Sequence, residues 1–174
     1  GSMGITDQFV IGHVGNFCYQ KNHYFLLDVF EEVHKKDPNT VLLLAGDGVR
    51  FEKVRQIVAE KNLEDVVKLL GRRSDTDYLY QGMDAFLLPS NFEGLPIAGI
   101  EAQSAGLPCF MSDEITKESK ITEACYFIPL KSGAKYWAEE ILDNRIERQS
   151  AEFLDNAEQY DLANQDQELK SLIR

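Results

Sequence analysis

Two carboxylates, two cations and a set of glycines carry the chemistry in this sequence. Glu93 stands in Asn91-Phe92-Glu93-Gly94-Leu95-Pro96, and Glu101 follows eight residues later in Ile97-Ala98-Gly99-Ile100-Glu101-Ala102, a stretch otherwise small and apolar. A carboxylate buried there without partners is costly, so Glu101 must be hydrogen-bonded. A vicinal diol donates one bond to each carboxylate oxygen, which is how a ribose is commonly held. Gly94 admits a ligand close to the backbone, and Pro96 stands where a helix begins, its missing N–H being one that would lack a partner anyway. The free N–H groups and macrodipole of that helix suit a phosphate, and Lys21 and Arg72 add full positive charge. A diphosphate fits this set, with Glu93 placed to hold a second polyhydroxyl group beyond the phosphates. Sugar, diphosphate and ribose then lie in a row.

These residues share a site only if the chain brings their loops to one rim, and its alternation of elements does that. Phe9–Val14 is a short β-branched apolar run closed by Gly15, the pattern of a buried strand. Phe25, Leu26, Val29, Phe30 and Val33 recur at helical spacing between Lys21 and Lys36, and Asp37-Pro38-Asn39 stops that helix. Further strands are expected at 41–45, 66–70, 84–88, 108–111 and 126–130, with helices around Val54–Leu63, Tyr78–Met83, Pro96–Ala105 and Lys135–Asn144. Such alternation specifies an α/β fold, a Rossmann-like, mostly parallel sheet with helices on both faces, whose ligands bind beyond the carboxyl ends of the strands. The loops there hold Asn16 and Lys21, Gly46-Asp47-Gly48, Gly71-Arg72-Arg73, the Glu93 segment, and Ser112-Asp113 followed by Lys117 and Lys120.

Composition narrows the function. The 174 residues are 44% hydrophobic and 27% charged, ordinary globular usage for one compact core. A formal net charge of −11 argues against a nucleic-acid backbone as partner. No apolar run is long enough to span a bilayer, so no transmembrane segment is expected. Cys18, Cys109 and Cys125 match neither a metal-ligand spacing nor an even disulfide framework, which points to a reducing, cytoplasmic setting. His13, His23 and His34 also lack metal-ligand spacing and are given no catalytic role. Gly1-Ser2-Met3-Gly4 reads as a cloning remnant.

The run from Asn91 to Pro108 resembles the two-glutamate signature of the retaining glycosyltransferases of family four. Val14-Gly15-Asn16-Phe17, Gln20-Lys21-Asn22-His23, Ala45-Gly46-Asp47-Gly48 and Leu70-Gly71-Arg72 resemble that family's other segments in the same order. The likeness runs from about Phe9 to about Asn144 and is nearest to capsular and exopolysaccharide enzymes. It implies a GT-B architecture, of which residues 5–148 form the Rossmann-like nucleotide-sugar-binding domain and residues 149–174 a C-terminal helical segment. A UDP-sugar is the favoured donor. A separate N-terminal domain, supplying most of the acceptor site and governing any peripheral attachment to the inner face of a membrane, is expected to be missing from this chain. The implied reaction is hexosyl transfer to a saccharide acceptor with retained anomeric configuration and no cofactor or metal.

By the same resemblance, Glu101 holds the ribose hydroxyls, Glu93 the transferred sugar, and the Gly94–Leu95 backbone with Pro96 the phosphates. Lys21 neutralises the leaving diphosphate, so Glu93 and Lys21 are the catalytic pair, and Arg72 lies near the base. The family usually places an arginine where Asn16 stands, so this diphosphate site has one cation fewer. Each feature has a bland structural reading too: a core carboxylate paired with Lys or Arg, a plain turn, a solvated lysine. Their common rim is what favours a ligand. A sugar-nucleotide epimerase half on the same fold and a non-catalytic α/β interaction module remain alternatives. An NAD-dependent oxidoreductase needs Gly-x-Gly-x-x-Gly after the first strand, which Gly12-His13-Val14-Gly15-Asn16-Phe17 does not supply.

Overall fold

The computed structural model describes residues 7–145. The presumptive cloning tetrapeptide and the C-terminal segment 149–174, read as helical, lie outside the described residues. Within them six parallel strands form one sheet: β1 (Phe9–Val14), β2 (Thr40–Ala45), β3 (Val67–Gly71), β4 (Ala85–Leu88), β5 (Cys109–Ser112) and β6 (Cys125–Ile128), in the order β3-β2-β1-β4-β5-β6. The connecting helices are α1 (His23–Lys36), α2 (Phe51–Glu60), α3 (Thr76–Gln81), α4 (Ile97–Ser104) and α5 (Ala134–Asp143). The expected doubly wound, Rossmann-like sheet is therefore present.

Side chains alternate across each strand, so both faces need apolar cover and the strands read as continuous apolar runs. Ile11, Leu42, Leu44, Leu87 and Phe110 share one core with residues of α1, α2 and α5, where Phe30 and Trp137 are fully buried. Phe86, Leu88 and Met111 share a second with Tyr80 of α3, Met83 and Ala102 of α4. Strand β1 is the centre of the arrangement, paired with β2 from Phe9↔Thr40 to Val14↔Ala45 and with β4 at Ile11↔Ala85 and Gly12↔Phe86. Strand order reverses between β1 and β4, the switch point at whose crevice open sheets of this kind bind ligands.

The bend after β2 is shaped by close backbone packing. Gly46 has φ +133°, and a Cβ there would stand 2.0 Å from the carbonyl oxygen of Gly15. Gly48 has φ +150°, and a Cβ there would stand 2.4 Å from Asn16 Oδ1 and 2.6 Å from the Phe17 carbonyl. Phe17 N–H donates to Asp47 O (2.9 Å) and Arg50 N–H to Phe17 O (3.0 Å), so the two loops form one unit. Gly-Asp-Gly thus supports the β1 loop by direct contact. Gly48→Ala is expected to destabilise the chain by about 1–3 kcal/mol, measured by urea unfolding; an unchanged midpoint contradicts this packing.

Candidate functional site

Lys21 was expected at the head of the first helix, and its actual position is more specific. It ends a 3-10 turn, Tyr19–Lys21, and Asn22 then adopts a left-handed conformation (φ 60°, ψ 50°) before α1 begins at His23. Asparagine tolerates that conformation better than most residues. Here its Nδ2 also donates to Pro89 O in the loop after β4 (3.0 Å). Asn91 returns two bonds, from its N–H to Gln20 O (2.8 Å) and from Nδ2 to Tyr19 O (2.7 Å). The loops after β1 and β4 are thereby laced together across the crevice.

Lys21 Nζ reaches over this lacing to pair with Glu93 Oε1. The other carboxylate oxygen accepts from Ser90 Oγ at 2.8 Å, and Ser90 is itself fixed by Ser112 Oγ, which donates to its carbonyl at 2.6 Å. Glu93 also forms an isolated parallel bridge with Ile115. The Lys21 and Glu93 side chains are only 17% and 8% exposed, so their attraction is poorly screened by water. Ser90 and Ser112 are sequence-silent: a single serine has no spacing signal, and its role follows from β5 lying beside β4.

Glu101 is half-buried on α4 and accepts a hydrogen bond from Tyr80 Oη at Oε1 (3.3 Å). Burial, then the Glu101 charge, pushes the Tyr80 phenol well above its ordinary pKa, so it stays a neutral donor. Among the described residues no Lys or Arg pairs with Glu101, so the core ion pair of the bland reading is not seen among them. Pro96 occupies the N-cap of α4, one position before the helix proper, with extended backbone (φ −82°, ψ 99°), and no side chain caps the first turn. Gly94 is exposed with open space around its Cα, and Leu95 and Ile97 are 64% and 70% exposed. The Gly94–Leu95 backbone is therefore open to a ligand.

The two arginines after β3 divide their work. Arg73 makes a two-toothed ion pair with Asp75 at the start of α3 (3.0 and 3.1 Å), whereas Arg72 is exposed and has no ion pair among the described residues. Asn16 is exposed, with Oδ1 packed over Gly48. Lys117 lies over the Phe127 ring, 5.7 Å from its centre. A hollow of about 370 Å³ between α2 and β3, walled by Glu52, Arg55, Glu64 and Leu69 among others, contains none of the expected site residues.

Beneath Lys21 lie His13 and His23, both without solvent exposure and in edge-to-face contact at 4.8 Å. His13 Nδ1 donates to Leu87 O (2.8 Å), while among the described residues its Nε2 has no hydrogen-bond partner and neither nitrogen of His23 has one. Burial lowers the His13 pKa to about 4, the Leu87 bond opposing and Lys21 reinforcing. Burial, His13, Lys21 and Arg50 lower that of His23 to about 2. Both rings are held neutral by burial and pack beneath Lys21. Cys109 and Cys125 are buried and paired in register between β5 and β6, and Cys18 is half-buried; all three are free thiols.

Residues 3–163 match the family described as Glycosyl transferases group 1. EpsF of Bacillus subtilis (strain 168), a glycosyltransferase by name, is 38% identical over 113 residues, covering 65% of this chain and 29% of that protein. The Escherichia coli UDP-Gal:alpha-D-GlcNAc-diphosphoundecaprenol alpha-1,3-galactosyltransferase is 34% identical over 110 residues, 62% of this chain and 28% of the enzyme. The chain thus spans under a third of the length of these relatives. In structure, the pneumococcal O-GlcNAc transferase GtfA, solved with UDP and GlcNAc, superposes with a TM-score of 0.72 at 21% identity, over 95% of this chain and 36% of that one. That likeness shows a shared fold.

The buried histidines make acid the weak point of this chain. An unfolded histidine takes up a proton near pH 6.5, whereas these resist until about 4 and about 2, so stability is complete above 6.5 and falls as pH drops below it. The loss approaches about 1.4 kcal/mol per pH unit for each ring. Urea midpoints should fall between pH 7.5 and 5.5, and less so in His23→Phe. Equal midpoints for the native chain at the two values contradict neutral burial.

Proposed function

The chain belongs to the glycosyl transferases group 1 family, and from that premise we propose that it is the C-terminal, donor-binding half of a retaining glycosyltransferase. The reaction moves a hexosyl group from a nucleotide-sugar, a UDP-sugar being favoured, to a saccharide acceptor in polysaccharide synthesis. The observation that carries this reading is the junction of Lys21 and Glu93 across the crevice between β1 and β4, with Glu101 eight residues on. The donor-binding unit is residues 5–148, with residues 149–174 as its appendage. An N-terminal half supplies most of the acceptor site.

In this scheme Glu101 takes the ribose hydroxyls, with Tyr80 holding its carboxylate in place. The uncapped first turn of α4 and the open Gly94–Leu95 backbone meet the diphosphate, and Lys21 offsets the charge it gains on departure. Glu93, anchored through Ser90, faces the transferred hexose, and Arg72 and Asn16 border the base and the phosphates. The bond from the anomeric carbon to the diphosphate oxygen breaks, the acceptor oxygen bonds to the same face, and its proton passes to the departing diphosphate oxygen. Among the described residues no helix is long and apolar enough to cross a membrane. A cytoplasmic setting, at the inner face of a membrane when the acceptor is lipid-borne, accords with the lipid-linked acceptor named for the E. coli relative. Relatives named as glycosyltransferases disfavour the epimerase and interaction-module alternatives.

Titration calorimetry with UDP, GDP and ADP tests the reading. At least one should bind with a Kd under about a millimolar, and no heat from any of them overturns it. Glu101→Gln should weaken UDP and uridine alike by about tenfold, because both carry the ribose.

A further inference from the structure

The ion pair at the centre of the crevice leaves the site short of positive charge. Lys21 is already neutralised by Glu93, Asn16 is neutral, and Glu101 adds a negative charge without a cation beside it. Arg73 is taken up by Asp75. A donor diphosphate brought to this rim would meet a near-neutral to negative surface unless another cation stands free. Arg72 has no ion pair among the described residues but is exposed just after the edge strand β3, where solvent and salt screen it.

Arg50 is the half-buried cation that remains. It follows the Gly46–Gly48 bend at the N-cap of α2, and its N–H is bonded to Phe17 O (3.0 Å) in the loop that carries Asn16. Its guanidinium carbon lies 4.5 Å from the Tyr24 ring centre and 5.3 Å from that of Tyr19. Tyr19 is 60% exposed, and its ring lies 6.4 Å from that of Phe92, the neighbour of Glu93. Among the described residues no carboxylate pairs with Arg50. Two tyrosine faces orient a guanidinium without cancelling its charge, whereas a carboxylate would compete with an incoming anion. Tyr19 also begins the 3-10 turn that Lys21 ends, so the ring under Arg50 and the lysine belong to one turn.

We infer that Arg50, held between Tyr19 and Tyr24, supplies the second positive charge to the donor's diphosphate. This rests on the donor-binding reading and adds a residue to it. The role is binding and orientation: a planar fork of N–H donors suits two phosphate oxygens at once, which Lys21 cannot offer.

The test uses the full 174-residue chain, with UDP followed by calorimetry and uridine by saturation-transfer NMR. Arg50→Gln should weaken UDP by about tenfold and leave uridine within about twofold, while Arg50→Lys, which keeps the charge, recovers most of the loss. Thermal midpoints check that each variant folds. If Arg50→Gln binds UDP as the native chain does, or weakens UDP and uridine equally, Arg50 only packs against its tyrosines and the inference fails. A native chain that binds no nucleotide at all defeats the donor-binding reading itself, before any variant is compared, and takes this inference with it.

Discussion

The arrangement depends on one ion pair, Lys21 with Glu93, joining loops 72 residues apart in sequence across the point where strand order reverses. With little of either side chain in water, neither charge can be left alone without a large desolvation penalty. Each partner is therefore held independently. The 3-10 turn and left-handed Asn22 direct Lys21, while Ser90, itself gripped by Ser112, directs Glu93. Strands β1, β4 and β5 must be neighbours for this relay to exist. The sheet order is thus a requirement of the site as much as a consequence of the core.

The surroundings keep that pair fixed and the charge near it controlled. The glycine bend after β2 presses on the β1 loop from one side. Two uncharged histidines fill the space beneath it from the other, so no further positive charge is locked into the floor. Cations free to meet an anion stand at the mouth, where tyrosine faces or water surround them. A ligand that brings negative charge then supplies the compensation that the protein itself withholds. On the reading proposed above, binding energy is concentrated on the diphosphate, where charge grows as the leaving group departs.

Much of this was legible from residue order. Strand and helix positions follow from short β-branched runs alternating with helical spacing, and the observed elements begin and end within a few residues of those readings. The rim, and the choice of Glu93, Glu101 and Lys21, followed from where ligands bind in such a sheet. Sequence spacing did not reveal how Lys21 is aimed. Periodicity runs through it into α1, but the left-handed Asn22 breaks the helix, and its bond to Pro89 depends on β1 lying beside β4. The contacts of Tyr80 and Arg50 were not legible for a related reason. Their partners, Glu101 for Tyr80, and Tyr19 of the β1 loop with Tyr24 of α1 for Arg50, are brought to them by tertiary packing alone.

A crystal structure of the chain with a bound UDP-hexose probes the central claim most directly. The account predicts the diphosphate against Lys21 and the first turn of α4, the hexose hydroxyls on Glu93 and the ribose on Glu101. A nucleotide seated elsewhere, for instance in the hollow between α2 and β3, with Lys21 and Glu93 still closed on each other, would contradict it.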